Sequence, residues 1–456
     1  MTTIKLDPGA ALLLDALHGA GHAAYAVGGC VRDSLLGQAP HDWDLCTSAR
    51  PEQVMELFGE EKCIPTGLQH GTVTVKQGGR LYETTTFRTE GAYSDGRHPD
   101  AVCFVPDVRE DLARRDFTIN AMAYSAEEGL IDPFGGRDDL AAHLVRAVGE
   151  PERRFEEDAL RILRLYRFAA RFGFAIDPAT GAAARALGPH LDCVSAERIQ
   201  EELLKLLAAP RPGSYLEPAV LAVVLPELEP EKQPERFAEL CRTIDRIEPT
   251  AENVPTRLAA LLCPLGEAGA RKALRKLKCS NALTDEVTAL VGGSVGSFLL
   301  PRSRDRRAGS SSEDRPLGWD PAAAGSRAGD GMARFASEEE APGTPGSEMQ
   351  LTAKRLLGRF ELPTIQRLTA LCSARHPEQA EAFAALRAEA EQLTAENACC
   401  RVSQLAVNGR DLMAAGVRPG PGLRQVLNAL LEAVITGQTP NEKDALLAAA
   451  AQFSAS

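Results

Sequence analysis

Two carboxylates one residue apart, Asp42 and Asp44 in the run HDWDL, follow shortly after a glycine pair, Gly28 and Gly29, in the run YAVGGCVRDSLLG. On an extended strand, residues i and i+2 face the same side. The two acids would then present two negative charges to one point and repel each other. A pair of divalent cations resolves that conflict. Mg²⁺ takes carboxylate oxygens together with substrate phosphates, and two-metal phosphoryl-transfer sites hold their ions about 3.5–4 Å apart. Glycines at a strand-to-helix turn let the backbone approach a ligand closely, and the N–H groups at a helix start can hold phosphate oxygens. Arg32, in the first turn of that helix, adds a fork-shaped cation. Either feature alone also fits an ordinary turn; it is their order and proximity that point to metal-dependent chemistry on a phosphate. A third acid, Glu83, is the only carboxylate in the strand-like run 81–87, where a surface glutamate at a strand edge is the alternative.

A second group of residues could read a base. In FEEDALRILRLYRFAARFGF, the apolar side of a helix over 155–172 is formed by Leu160, Ile162, Leu163, Leu165 and Phe168. Asp158, Arg161 and Arg164, with Arg167 and Arg171 beyond, recur every three or four residues and neighbour one another along that helix. A salt-bridged solvent face would show the same pattern. The functional alternative rests on hydrogen-bond polarity: Asp only accepts and Arg only donates. Cytosine and adenine each present an amino donor beside a ring acceptor, so one Asp/Arg pair matches both. Uracil and guanine present the reverse order, and a buried mismatch is strongly penalised. Such a face would accept CTP and ATP and reject UTP and GTP without a template. Between the two groups lies EDLARRDFTINAMAY (110–124), with Arg114, Arg115 and Asp116 ahead of a stretch that reads as a helix packed on the sheet. A surface basic pair is the alternative there. The turn-rich run 88–100 reads as a flexible loop near the site.

The elements that must position these groups follow from pattern. Strands are expected over 24–27, 42–46, 72–76, 81–87 and 102–105, with helices over 31–36 and 52–58 between them. From about residue 152 the pattern is helical, with amphipathic helices over 155–172, 196–207, 271–277, 351–360 and 422–435. Over half of residues 301–350 are Gly, Ala, Ser or Pro, and no apolar face can be drawn. That segment is expected to be a disordered insertion.

The chain has 456 residues and a net charge of −12, which excludes a uniformly basic nucleic-acid coat but not a local basic patch. No apolar run approaches the roughly 20 residues of a spanning helix, and the N-terminal stretch lacks a basic n-region, so neither membrane anchor nor signal peptide is expected. Eleven cysteines without a C-x-x-C pair read as free thiols in a reducing cytoplasm.

Three runs, YAVGGCVRDSLLG with HDWDL, EDLARRDFTINAMAY with IDPFGG, and EEDALRILRLYRFAARFGF, together resemble the bacterial CCA-adding tRNA nucleotidyltransferases and the related bacterial poly(A) polymerases. The run VSAERIQEELLKLL (194–207) resembles the family's neck, and 408–447 its tail. The resemblance implies an α/β nucleotidyltransferase head with a polymerase-beta-like mixed sheet, followed by an all-α neck, body and tail. The corresponding division is a head over 1–150, a neck with the base-reading helix over 151–210, a body over 211–300, the insertion over 301–350, and body and tail over 351–456. It implies that Gly28, Gly29 and Arg32 contact the triphosphate and that Asp42 and Asp44 hold Mg²⁺, with Glu83 as an additional acid. It further implies that Arg115 contacts nucleotide or phosphate. Asp158 and Arg161 would read the base edge, supported by Arg164 and Arg167. The partners implied are the tRNA 3′ end, CTP and ATP, with no membrane and no obligate protein partner. The loop over 88–100 resembles the one associated with the switch from C to A addition. The run 257–278 holds no histidine, so the phosphohydrolase domain of many relatives is not expected. Poly(A) synthesis, A-only addition and a silent RNA-binding role are the competing readings.

Overall fold

The structure is a computed structural model that describes residues 3–90, 102–295 and 345–453. Helix α1 (Pro8–Gly19) begins where the Asp7 carboxylate accepts the Gly9 and Ala10 amides, with Pro8 at the first helical position. Its buried Leu13, Leu14 and Leu17 face inward, and it packs on β1 (Ala24–Val27). The next elements are α2 (Gly29–Leu35), β2 (Leu45–Thr47), α3 (Pro51–Phe58), β3 (Cys63–Gly67), β4 (Thr72–Gln77) and β5 (Arg80–Thr86). A hairpin of β6 (Arg88–Glu90) and β7 (Val102–Phe104) leads to α4 (Val108–Ala113), β8 (Ala123–Ser125), β9 (Gly129–Ile131) and α5 (Gly136–Ala141).

Seven strands form one mixed sheet in the order β3-β4-β5-β2-β1-β8-β9, in which β2 and β5 run parallel and the other neighbours antiparallel. Tyr25 and Val27 of β1, Cys46 of β2, Phe87, and Val108 and Leu112 of α4 close a core on one side of the sheet. Phe87 and Leu112 have no exposed surface.

The structure differs from the sequence reading in several places. The expected strand 42–46 is pared to Leu45–Thr47, with Asp42–Asp44 extended ahead of it. The strand at 102 pairs with Arg88–Glu90 rather than joining the main sheet. The stretch after Asp116 in the run 110–124 is not the expected helix. It makes a 3₁₀ turn at Thr118–Asn120 and enters β8, because the Asp116 carboxylate takes the Phe117 amide and the Asn120 side chain and so competes with helical bonding. The helix expected over 155–172 is two, α6 (Pro151–Glu157) and α7 (Leu160–Phe172), broken at Asp158, whose extended backbone and carboxylate start the second by accepting the Leu160 amide.

Beyond α7 come α8 (Pro178–Ala186), α9 (Ala196–Leu207), α10 (Pro218–Val224), α11 (Pro234–Arg246) and α12 (Val254–Leu262). The described residues form two compact units, one running to residue 295 with 370–375, the other holding 345–369 and 376–453. The second has its own apolar cluster, including Leu405, Leu412, Leu430 and Leu446. A helix over Pro345–Arg359 shows that the last six residues of the segment read as disordered are helical; 301–344 lie outside the described residues, as do 91–101 of the expected loop. No helix among the described residues is long and apolar enough to cross a membrane, and all eleven cysteines are unpaired.

Arg257 on α12 has no exposed surface. Its guanidinium donates to the carbonyls of Leu207 (2.7 Å), Ala209 (2.5 Å), Pro210 (3.4 Å) and Ile247 (2.6 and 3.1 Å), so it caps the C-terminal ends of α9 and α11 together. Removing it strands several buried carbonyls. Arg257→Met is therefore expected to lower unfolding free energy by about 3–5 kcal/mol, and Arg257→Lys, without the planar fork, to recover little of it. Denaturant unfolding checks this; a midpoint for Arg257→Met close to that of the parent would refute the capping role.

Candidate active site

β1 ends at Val27, whose amide donates to the Asp44 carbonyl (3.0 Å), and the Gly28 amide donates to Met122 of the turn before β8 (3.0 Å). Gly28 has φ +76°. A side chain there would be strained, and its Cβ would lie 2.9 Å from Arg115 Nη1. Gly29 opens α2, and a Cβ on it would meet only Arg32 Nη2, at 3.6 Å. The turn thus carries no side chain of its own at the helix start and is flanked by the Arg115 and Arg32 guanidinium groups, an arrangement suited to phosphate oxygens.

Asp42 and Asp44 flank the buried Trp43 and so share the opposite, solvent-facing side of the extended segment. β2 pairs in parallel with β5, Leu45 opposite Thr84, so Glu83 follows the same alternation beside Asp44; Tyr82, Thr84 and Thr86 turn inward. Asp44 opens to solvent yet lies in a crowded wall. Desolvation first, then the charges of Glu83 and Asp42, against the opposing pull of Arg115, push its carboxyl up to about 6. The three acids are electrostatic neighbours rather than a closed ligand set: among the described residues no three His, Cys, Asp or Glu side chains converge as a metal cluster. The donor set is hard oxygen only and suits a cation that takes one or two carboxylates and completes its shell with phosphate oxygens.

Arg32, expected to be a free phosphate ligand, is buried. Its Nε donates to Asp33 (2.8 Å) and its Nη1 to the Asn120 side-chain oxygen, and its guanidinium lies over Phe172 at 4.8 Å. Asn120 in turn donates to Asp116 (3.0 Å). Asp116 receives Arg164 through Nε (2.9 Å) and Nη2 (2.6 Å). A continuous chain of polar contacts, Asp33–Arg32–Asn120–Asp116–Arg164, therefore joins the phosphate turn to α7.

Asp158 and Arg161 sit at the break between α6 and α7 but do not pair with each other. Asp158 is gripped by Arg198 of α9 (2.9 and 3.3 Å). Arg161 donates to Glu157 (2.8 Å) and to the carbonyls of Arg154 (3.1 Å) and Arg114 (3.0 Å). Two of its five N–H groups are left. Arg167 stands 2.5 Å from Glu202 of α9, and Arg171 3.4 Å from Asp33. Arg198, Glu202 and Asn120 were not among the expected site residues. Arg198 and Glu202 are an ordinary i, i+4 pair on an amphipathic helix, a spacing that carries no chemical signal by itself.

Residues 24–146 match the family described as the poly A polymerase head domain, 173–232 the probable RNA and SrmB-binding site of polymerase A, and 357–450 the putative tRNA nucleotidyltransferase domain 2. The CCA-adding enzyme of Lactiplantibacillus plantarum is 35% identical over 438 residues, covering 95% of this chain and 93% of that protein. That of Limosilactobacillus fermentum is 34% identical, covering 97% and 96%. The chain belongs to the CCA-adding enzyme family. The crystal structure of the Bacillus stearothermophilus CCA-adding enzyme in complex with CTP superposes with a TM-score of 0.71 at 31% identity, covering 98% of both chains. The head is accordingly the polymerase-beta-like nucleotidyltransferase fold, with a mostly helical remainder, and nucleotidyltransferases of this kind use a divalent metal.

Within this CCA-adding enzyme fold, the Asp116 carboxylate accepts four hydrogen bonds. Burial alone would raise its carboxyl pKa, but Arg164, the Asn120 bond and Arg161 outweigh that and hold it at about 2. A depressed folded-state value stabilises the protein above the unfolded value of 3.8 and is lost as pH falls through about 2. Asp116→Asn is expected to remove on the order of 2 kcal/mol at neutral pH. Chemical unfolding of both proteins should show that gap narrowing below pH 4; a gap unchanged down to pH 2 would contradict the assignment.

Proposed function

We propose that this chain adds C, C and A to the 3′ end of tRNA from CTP and ATP without a nucleic-acid template, releasing pyrophosphate at each step. The observation that carries the reading is the juxtaposition of Asp42, Asp44 and Glu83 with a helix start at Gly28–Gly29 that carries no side chain of its own and the Arg115 cation. Its membership in the CCA-adding family supplies the substrates: relatives' structures are described with CTP, with ATP and with tRNA.

In this reading the terminal 3′-OH attacks the nucleotide α-phosphate in line with the departing pyrophosphate. Asp42 and Asp44 hold Mg²⁺, which when bound lowers the pKa of the attacking hydroxyl and neutralises the leaving oxygens. Glu83 adds negative potential at the same wall. The α2 start at Gly29, which Gly28 leaves open to close backbone approach, and the guanidinium of Arg115 receive the triphosphate. Arg32 acts through Asn120 and Asp33 to hold the α2 start in place. Asp158, oriented by Arg198, accepts from the amino group of cytosine or adenine. The remaining N–H groups of Arg161 donate to the neighbouring ring nitrogen, and Arg164 and Arg167 shape the wall behind it. The tRNA lies along the helical part, where Lys272, Arg275 and Lys276 are exposed on one helix; such contacts make binding salt-dependent. The division into head (1–150), neck (151–210), body and tail belongs to the same reading, as does a cytoplasmic location, which the unpaired cysteines support.

The test is an extension assay at single-nucleotide resolution on tRNA transcripts ending before CCA, after C and after CC. Addition of C, C and A followed by a stop is expected. Long A tails on varied RNAs would replace the reading with poly(A) synthesis, and A-only addition with a partial enzyme. Asp42→Ala is expected to abolish transfer while leaving tRNA binding within about twofold, since phosphate contacts made elsewhere carry that affinity. Asp158→Ala with Arg161→Ala is expected to relax base choice toward UTP and GTP; unchanged selectivity would make that pair structural.

A further inference from the structure

Asp111, in the first turn of α4, has no exposed surface. An anion so placed persists only if its partners compensate the lost hydration. One oxygen, Oδ1, accepts two bonds from Arg114 (2.9 and 2.8 Å) and the Arg88 amide at the start of β6 (3.3 Å). The other, Oδ2, faces Arg115 Nη2 at 3.3 Å. Burial would raise its pKa, but Arg114, then Arg115, outweigh that and hold the carboxyl below its ordinary value, so it stays ionised.

Arg115 stands between two anionic sides. On one is Asp111; on the other is the acid wall, whose Asp44 feels the Arg115 charge. Its Nη1 fills the space a Gly28 side chain would need, and its Nε–H is buried without an acceptor. The cation is thus held against the phosphate turn with hydrogen-bonding capacity to spare, and the bond that keeps it off the acid wall comes from Asp111.

We propose that Asp111 is a positioning residue: by anchoring Arg115 Nη2 it keeps that guanidinium beside the Gly28–Gly29 turn for the triphosphate and away from Asp42, Asp44 and Glu83. This rests on the nucleotide-binding reading above. Losing the anchor frees Arg115 to swing toward the acids, which weakens nucleotide binding and sets Arg115 in competition with the divalent cation.

The test is a double-mutant cycle on CTP binding to the full chain, measured by calorimetry, with Asp111→Asn, Arg115→Gln and the pair. Asparagine keeps the shape and an acceptor for the Arg88 amide while removing the charge. Asp111→Asn is expected to raise the CTP Kd about tenfold, the scale of one charge-assisted hydrogen bond. The double variant should bind no worse than Arg115→Gln alone. Additive losses would overturn the proposal, because Asp111 would then act independently of Arg115. If Asp111→Asn does not fold, Arg114→Gln decides: it lowers the melting temperature but leaves Arg115 anchored, so CTP Kd should stay within about twofold. A loss there as large as that of Arg115→Gln would also overturn the proposal. If the parent protein neither binds CTP nor extends tRNA, it is the functional reading that fails.

Discussion

The arrangement depends on one buried anion. Asp116 takes the Phe117 amide (2.8 Å), the Asn120 amide group and both bonds from Arg164, and each of these fixes a different part of the site. Through Arg164 it sets the rotation of α7; through Asn120 it sets Arg32 and with it α2; through the Phe117 amide it ends α4 and turns the chain toward β8. The 3₁₀ turn this creates is tight enough that Gly136 must be glycine, since a Cβ there would lie 2.2 Å from the Thr118 carbonyl oxygen. The Thr118 hydroxyl donates to Asp139 of the same helix (2.6 Å), so the FGG run closes over the turn from the far side. Buried ionic groups of this kind contribute little net stability against an apolar alternative, and here they hold two elements in register.

The charges of the site divide into two populations. The arginines of α7 recur with the spacing of a salt-bridged surface, yet each finds its acid on another element: Arg161 on α6, Arg164 at Asp116, Arg167 on α9, Arg171 on α2. Among the described residues, the acids Asp42, Asp44 and Glu83 have no such bonded partners, and Arg115 is a cation that acts on Asp44. A fold that pairs four arginines carefully and leaves three carboxylates facing one another has reserved the second group for a charge it does not itself supply. In the function proposed above, protein packing positions the base-reading side in advance, whereas ligand completes the phosphate side.

Much of this was legible in the sequence because local pattern and chemistry coincide there. The strand at 24–27 and the helix at 196–207 have the expected bounds, and the apolar side Leu160, Ile162, Leu163, Leu165 and Phe168 is buried as periodicity requires. The alternation that puts Asp42 and Asp44 on one side holds although the ladder begins only at Leu45. What was not legible depends on partners distant in the chain. Arg32 reads as a phosphate-binding cation in the first turn of a helix, and its bond to Asn120, 88 residues away, is not visible in the sequence. Asp158 reads as a helix residue until its own carboxylate caps α7 and Arg198, 40 residues on, grips it. Three-residue strands such as β8 and β9 carry too little alternation to be seen, and the Asp and Asn side chains around them override helix propensity by bonding to the nearby backbone.

Gly28 shows how the separate runs become one device. Its φ of +76° with ψ of −121° lies outside the left-handed helical region that asparagine tolerates, and is a demand of the turn alone that glycine meets without strain. The second demand is spatial: Arg115 Nη1 occupies the position of the missing side chain. Arg115 stays there because Asp111 holds its other nitrogen, and Asp111 is reached by the backbone amide at the foot of the β6–β7 hairpin. The glycine of the phosphate turn is therefore specified by an arginine 87 residues later in the chain, and that arginine by an acid four residues before it. The YAVGG and RRD runs, unrelated as sequence, are two halves of a single cation-lined turn, and under the positioning role proposed for Asp111 a change to either half alters what the other can bind.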